Sequence, residues 1–221
     1  MEHDRDWPAR LAEQIGQEIA HQRDKRGMTA QALAERCAEL GLPMDRAVIA
    51  KLEKGRRQTI TVGELLVFAR ALRIPPLLLV CPLGRLDSME ANPGVTASVW
   101  AVLKWFTGDG RFPADNRVGG GDLDPNTGLY EWYDDPEAGW EDGAAPLHLY
   151  RRHVDEVNEY ARAWQHVREM QRSEEESYRL LSRLHKGIEA EIRRLRDEMR
   201  RRELILPPLP ENLRHLDEPG G

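Results

Sequence analysis

The 221-residue chain has little from which to build metal, redox or membrane chemistry. Cysteine occurs only at Cys37 and Cys81, too few for a disulfide framework or a four-thiolate zinc site. Both stand among apolar residues and read as reduced core thiols. The seven histidines show no HExxH and no paired metal-ligand spacing, and there is no CxxC. A GxxxxGK[ST] loop and a GxSxG elbow are also missing, and the glycine run at 119–121 lacks the strand-to-helix setting of a phosphate cradle. No apolar run approaches the ~20 residues of a membrane span. The first residues, MEHDRDWPAR, lack the apolar core of a signal peptide. These absences predict a soluble, cytoplasmic, non-enzymatic protein with no cofactor, no metal and no membrane partner.

What the chain does have is charge, unevenly placed. The formal net charge is −6. Residues 1–83 hold 13 Lys+Arg against 11 Asp+Glu, residues 84–146 hold 4 against 12, and residues 147–221 hold 15 of each. Within the first part, 46–57 concentrates five basic residues against Glu53 alone. A basic stripe on an otherwise acidic chain suits a local polyanion contact, with the acidic middle turned away from it.

That stripe lies in the most informative stretch, 28–55. Leu33, Cys37 and Leu40 recur at i, i+4, i+7, so one helical face is apolar. Thr29 stands ahead as an N-cap candidate, and Gly41 and Pro43 end the segment. Asp45 is placed to start a second helix, with Val48, Ile49 and Leu52 apolar and Gly55 as its stop. Ile49 and Leu52 point one way, leaving Arg46, Ala47, Ala50, Lys51 and Lys54 outward. Helix, break and basic helix is the layout of a helix-turn-helix, or of an ordinary helical hairpin with a solvated basic face. In the first case the alanines admit a groove wall, Arg46, Ala47, Ala50 and Lys51 meet base edges, and Lys54, Arg56, Arg57 and Gln58 meet phosphates.

Further helices frame this pair. Residues 8–26 carry Leu11, Ile15 and Ile19 on one stripe, with Pro8 in the first turn and Gly27 after the end. Thr61 opens a helix bearing Leu65, Leu66, Phe68, Ala69 and Leu72, and Pro75-Pro76 opens a short one at 77–80. Residues 8–81 thus form a five-helix domain.

This domain is similar to the XRE family of helix-turn-helix regulators, whose fold is that of the lambda-repressor DNA-binding domain. The matching residues are Arg23, Leu33-Ala34, Ile49-x-x-Leu52-Glu53-x-Gly55, Val62-x-x-Leu65 and Ala69-x-x-Leu72-x-Ile74-Pro75. They span about a third of the chain, which looks closest to long actinobacterial members. The resemblance implies a partly buried Arg23–Glu53 ion pair beneath the recognition helix. It also implies a DNA contact from the second helix. Many members place a Gln at the position held here by Ala30, so that contact passes to Gln31 or to another residue. The link from Leu33 to Ile49 is about one helical turn longer than is usual.

Residues 82–146 read as a linker, a small mixed and irregular middle with one buried helix and a mobile acidic loop. Leu86, Met89 and Val95 suit one or two short strands. The stretch 95–106 reads as a buried helix through Val99, Trp100, Val102, Leu103 and Phe106, ended by Thr107-Gly108. An acidic Gly/Asp-rich loop follows, whose Trp132, Tyr133 and Trp140 either dock it or mark a ligand or partner surface. Residues 147–221 read as long amphipathic helices with a Pro-rich tail, in which Leu209, Leu213 and Leu216 are docking points. Tyr150, Val154, Val157, Ala161 and Trp164 form one seam, and Tyr178, Leu181, His185, Ile188, Ile192, Leu195 and Met199 a second. The second is either a coiled-coil dimer seam or one side of an intramolecular hairpin.

The fold class is therefore mainly α. The leading function is a sequence-specific transcriptional regulator on double-stranded DNA, as a homodimer, nucleoid-associated when bound. The alternatives are a protein-interaction adaptor whose partner meets the acidic middle or C-terminal helices, and a ligand-gated regulator with Trp100, Trp105, Trp132 and Trp140 round a small pocket.

Overall fold

The structure, a computed structural model, describes residues 6–113, 121–123, 130–132, 139–169 and 175–217. It is mainly helical and divides into two units, Met1–Glu137 and Ala138–Gly221. The first unit opens with α1 (Trp7–Lys25), α2 (Ala30–Glu39), α3 (Arg46–Glu53), α4 (Val62–Leu72) and α5 (Pro76–Val80). The starts follow local chemistry. Asp6 and Thr29 accept cap bonds from the Ala9 and Ala32 amides. Thr61 and Glu64 form a reciprocal capping box at α4. At α3 the backbone of Asp45 is extended, as a cap requires, but its side chain makes no cap bond.

The five helices enclose Ile15, Ile19, Leu33, Cys37, Ile49, Leu52, Phe68, Leu72 and Leu79, all buried. Each large aliphatic or aromatic side chain in such a core contributes about 1.5–3 kcal/mol. The closest approach is between α1 and α3. A Cβ on Gly16 would lie 2.2 Å from the Leu52 carbonyl oxygen, so only glycine fits there.

The middle is not a linker throughout. The hairpin β1 (Ser88–Asn92) and β2 (Val95–Ser98) pairs antiparallel, and α6 (Val99–Thr107) follows. Met89, Ala91, Val99 and Val102 join the same core as the five helices. Arg10 of α1 donates two hydrogen bonds to Glu90, at 2.9 and 2.8 Å, and the Trp7 indole N–H donates to the Glu90 carbonyl. Glu18, 2% exposed, pairs with Arg85 and accepts from Gln22 at 2.8 Å. Three expectations are corrected. Residues 95–98 are strand rather than helix, Leu86 lies outside both strands, and α6 is only half covered, with Trp100 and Phe106 exposed. The short β3 (Gly121–Leu123) and β4 (Tyr130–Trp132) pair antiparallel. Tyr133 and most of the acidic loop lie outside the described residues.

In the second unit α7 (Trp140–Glu169) and α8 (Glu175–Arg201) form an antiparallel hairpin, and a 3-10 helix (Glu211–Leu216) packs on it. Helix α7 begins before 147 and contains Pro146. Ile188, Ile192, Leu195 and Met199 are buried within this single chain, Ile188 and Ile192 in a cluster with Tyr160, Leu209, Leu213 and Leu216. Among the described residues of the second seam, these four are covered within the chain, as the intramolecular alternative expects. His185 meets the rings of Tyr160 and Trp164 edge-on, and the Tyr178 and Leu181 side chains lie outside the described residues. The first seam is also rotated. His153 and Tyr160 are buried, whereas Val154 and Trp164 stay exposed. His153 turns inward because its Nε2 meets the buried Arg196 guanidinium at 2.9 Å, and Arg196 in turn holds Asp217 and the Pro207 carbonyl.

Gly16→Ala separates local preference from packing. Helix propensity alone favours alanine by about 1 kcal/mol. The clash with Leu52 should outweigh this and destabilise the N-terminal unit by roughly 1–3 kcal/mol in urea melts. A variant as stable as wild type would mean that α1 and α3 do not approach this closely.

Candidate nucleic-acid interface

The inner side of α3 is fixed before its outer side can act. Ile49 and Leu52 are fully buried. Next to them, Glu53 receives Arg23 through two bonds, Nε to Oε1 at 2.7 Å and Nη2 to Oε2 at 3.0 Å. The Arg23 Nη1 donates to the Met28 carbonyl at 2.7 Å and to Asp24 at 2.6 Å. The hydrogen bond to Glu53 is the main reason the Arg23 guanidinium pKa rises above its ordinary value, against the opposing effect of burial. The pair implied by the family resemblance is thus present, and it also anchors the turn that leads into α2.

With that face committed, Arg46, Ala47, Lys51 and Lys54 are exposed and Ala50 is half-buried. Helix α3 then closes sharply. The Gly55 and Arg56 amides donate to the Leu52 and Lys51 carbonyls at 3.0 and 2.8 Å. Gly55 has φ +62°, and a Cβ there would fall 2.7 Å from the Glu13 carboxylate. The chain leaves this closure with Arg56 and Gln58 exposed. Among the described residues, Arg46, Lys51, Lys54 and Arg56 have no ion pair. Gln31 is exposed on the first turn of α2, where its amide donates to Glu35 at 2.9 Å.

Arg57 differs from its neighbours. Its Nη1 lies 2.7 Å from Glu64 Oε1 and its Nη2 donates to Oε2 at 3.0 Å. Burial by itself would raise the Glu64 pKa. The bonds from Arg57 and from the Thr61 amide and hydroxyl outweigh that and hold it below its ordinary value. Lys51, Arg57 and Glu64 line an open groove of about 660 Å³ together with Asp45, Val48 and Pro43. Glu64 escapes a reading based on periodicity alone. Its Thr61-x-x-Glu64 capping spacing is visible in the sequence, but its second bond, back to a loop residue, is not.

Of the four tryptophans, the first unit describes the side chains of Trp100 and Trp105. Trp100 is 55% exposed, Trp105 packs edge-on against Phe106 and Phe112, and Trp140 belongs to the second unit. The Trp132 side chain lies outside the described residues. An apolar hollow of about 310 Å³ in the first unit lies among Trp7, Leu11, Ile60, Leu65 and Phe106. Cys37 and Cys81 are buried, and burial pushes both thiols up to about 11. They are therefore poor nucleophiles at neutral pH. Among the described residues no cluster of three or more His, Cys, Asp or Glu is placed to hold a metal ion, and no helix is long and apolar enough to cross a membrane.

A family model described as a helix-turn-helix domain matches residues 14–79. The match runs from within α1 into α5 and includes all of α2, α3 and α4. No curated protein and no solved structure matches the chain. The helix-turn-helix domain thus accounts for the stretch that carries the exposed cations.

Removing Glu53 leaves Arg23 without its main partner in a site where both side chains are nearly covered, at 13% and 11% exposure. Glu53→Ala should cost roughly 2–4 kcal/mol of stability. An unchanged melting temperature would show that the pair carries no load.

Proposed function

We propose that the chain is a sequence-specific transcriptional regulator of the XRE type, in which α3 of the helix-turn-helix domain enters the major groove of double-stranded DNA. The supporting observation is the division of charge around α3. Glu53, the one acid of the stripe, is consumed by Arg23, while Arg46, Lys51, Lys54 and Arg56 stand exposed without ion pairs. Arg46 and Lys51 reach base edges, and the alanines at 47 and 50 let the helix approach. Lys54, Arg56 and Gln58 grip the phosphates, and Gln31 adds a contact from α2. The role is binding rather than catalysis.

One such domain reads few base pairs. Two copies reading half-sites about one DNA turn apart, ~34–36 Å, gain both affinity and selectivity. Because the α8 row is covered within its own chain, a homodimer needs another surface. Leu147, Val154 and Ala161 recur every seven residues on α7 and remain exposed, which makes this row the contact we assign to a second copy.

Selection of bound sequences from random duplex DNA at near-physiological salt, with light scattering on the same sample, tests both claims. A dimer should enrich an inverted repeat, and Val154→Glu should yield a folded monomer that enriches single half-sites. If nothing is enriched and binding vanishes with modest salt, the adaptor reading takes over. On the enriched site Lys51→Ala should cost roughly 1–3 kcal/mol and relax one position, whereas Arg56→Ala should weaken all sequences alike. Equal losses on selected and random duplexes for Lys51→Ala would remove its role as a reader.

A further inference from the structure

The first turn of α4 holds an acid next to the face assigned to DNA. Glu64 is 14% exposed, and both of its oxygens are used. Oε1 faces Arg57 Nη1 at 2.7 Å, and Oε2 accepts from Arg57 Nη2, the Thr61 amide and the Thr61 hydroxyl at 3.0, 2.8 and 3.0 Å. Along the loop, Arg56 and Gln58 are exposed and Arg57 between them is half-buried. The loop is pinned at three places: by the Gly55 closure, by Arg57 on Glu64, and by the Thr61 capping box.

We infer that Glu64 and Arg57 are a positioning pair that holds the 55–61 loop so that Arg56 and Gln58 meet the phosphates, Arg57 itself making no phosphate contact. The inference rests on the DNA-binding reading. Its physical basis is the cost of exchange. For Arg57 to turn to a phosphate, its guanidinium must give up the Nη2–Oε2 hydrogen bond and the close Nη1–Oε1 ion contact with Glu64. Glu64 would then stand nearly covered, short of its strongest partner and facing a polyanion. Keeping the pair neutralises the acid and leaves Arg56 and Gln58 on the open side. Lys51 lines the same groove as the pair, so the loop and the recognition helix both border it.

Two opposite signs make this testable. If Arg57 grips phosphate, Glu64→Gln removes a competing acid and tightens binding. If the pair positions the loop, Glu64→Gln weakens binding even though it removes a negative charge near DNA. Affinities of the full chain for the selected site and for random duplex should be measured over a range of salt, at a temperature where all variants are folded. Amide hydrogen exchange of the loop should be followed without DNA. Arg56→Ala should lower the salt slope by about 0.9, the loss of one phosphate contact. Arg57→Ala and Glu64→Gln should weaken binding by roughly threefold to thirtyfold with the slope unchanged, and should speed exchange across the loop. Arg57→Lys, which keeps the charge but lacks the fork, should behave like Arg57→Ala. A salt slope lowered by Arg57→Ala, an affinity restored by Arg57→Lys, or tighter binding by Glu64→Gln overturns the inference while leaving the DNA-binding reading in place. A wild-type chain with no salt-dependent duplex binding overturns both, and exchange then reports only on the loop.

Discussion

Everything in the N-terminal unit depends on how closely α1 crosses α3. At Gly16 the two backbones approach to a distance that admits no side chain, with the Leu52 carbonyl where a Cβ would stand. Two turns further along α1, Arg23 reaches Glu53, the residue after Leu52. One contact is steric and the other electrostatic, and together they set the height and rotation of α3. An eight-residue helix is too short to hold itself in water. Its outer face is usable only because its inner face is seated in this way.

The same economy runs through the charges. Glu53 serves Arg23, Glu64 serves Arg57, Glu18 serves Arg85 and Glu90 serves Arg10. The last two join the β-hairpin and its approach to α1. A segment with the composition of a linker thereby becomes part of the core through Met89, Ala91, Val99 and Val102. Such pairs add little net stability over apolar replacements, but each is costly to break once its partner is covered. Acids spent inside the fold leave Arg46, Lys51, Lys54 and Arg56 without carboxylate partners among the described residues. An acidic chain thus presents a locally cationic face.

In the C-terminal unit the heptad pattern was legible but its partner was not. Ile188, Ile192, Leu195 and Met199 need an apolar surface, and a heptad row does not say whether that surface belongs to the same chain. Within the chain, α7 and the 3-10 helix supply it. The phase of α7 escapes apolar periodicity because His153, a polar residue, is buried: it faces Arg196, a contact 43 residues away. Periodicity counts apolar residues and passes over a polar one held inside by a distant partner.

The sequence by itself determined the helices of residues 8–81, the caps at Thr29 and Thr61, the inward set Ile49 and Leu52, and the outward cations of α3. These follow from periodicity and end chemistry, which act over a few residues. It also carried the Arg23–Glu53 pair, though only through resemblance to a family. The tertiary structure alone decided that Gly16 is a crossing point, that Arg57 turns to Glu64, that 88–107 joins the core, and that the α8 row is covered in cis. Each of these depends on which groups meet across space. Many arrangements satisfy the local pattern equally well, and only packing and the cost of an unpaired buried charge choose among them.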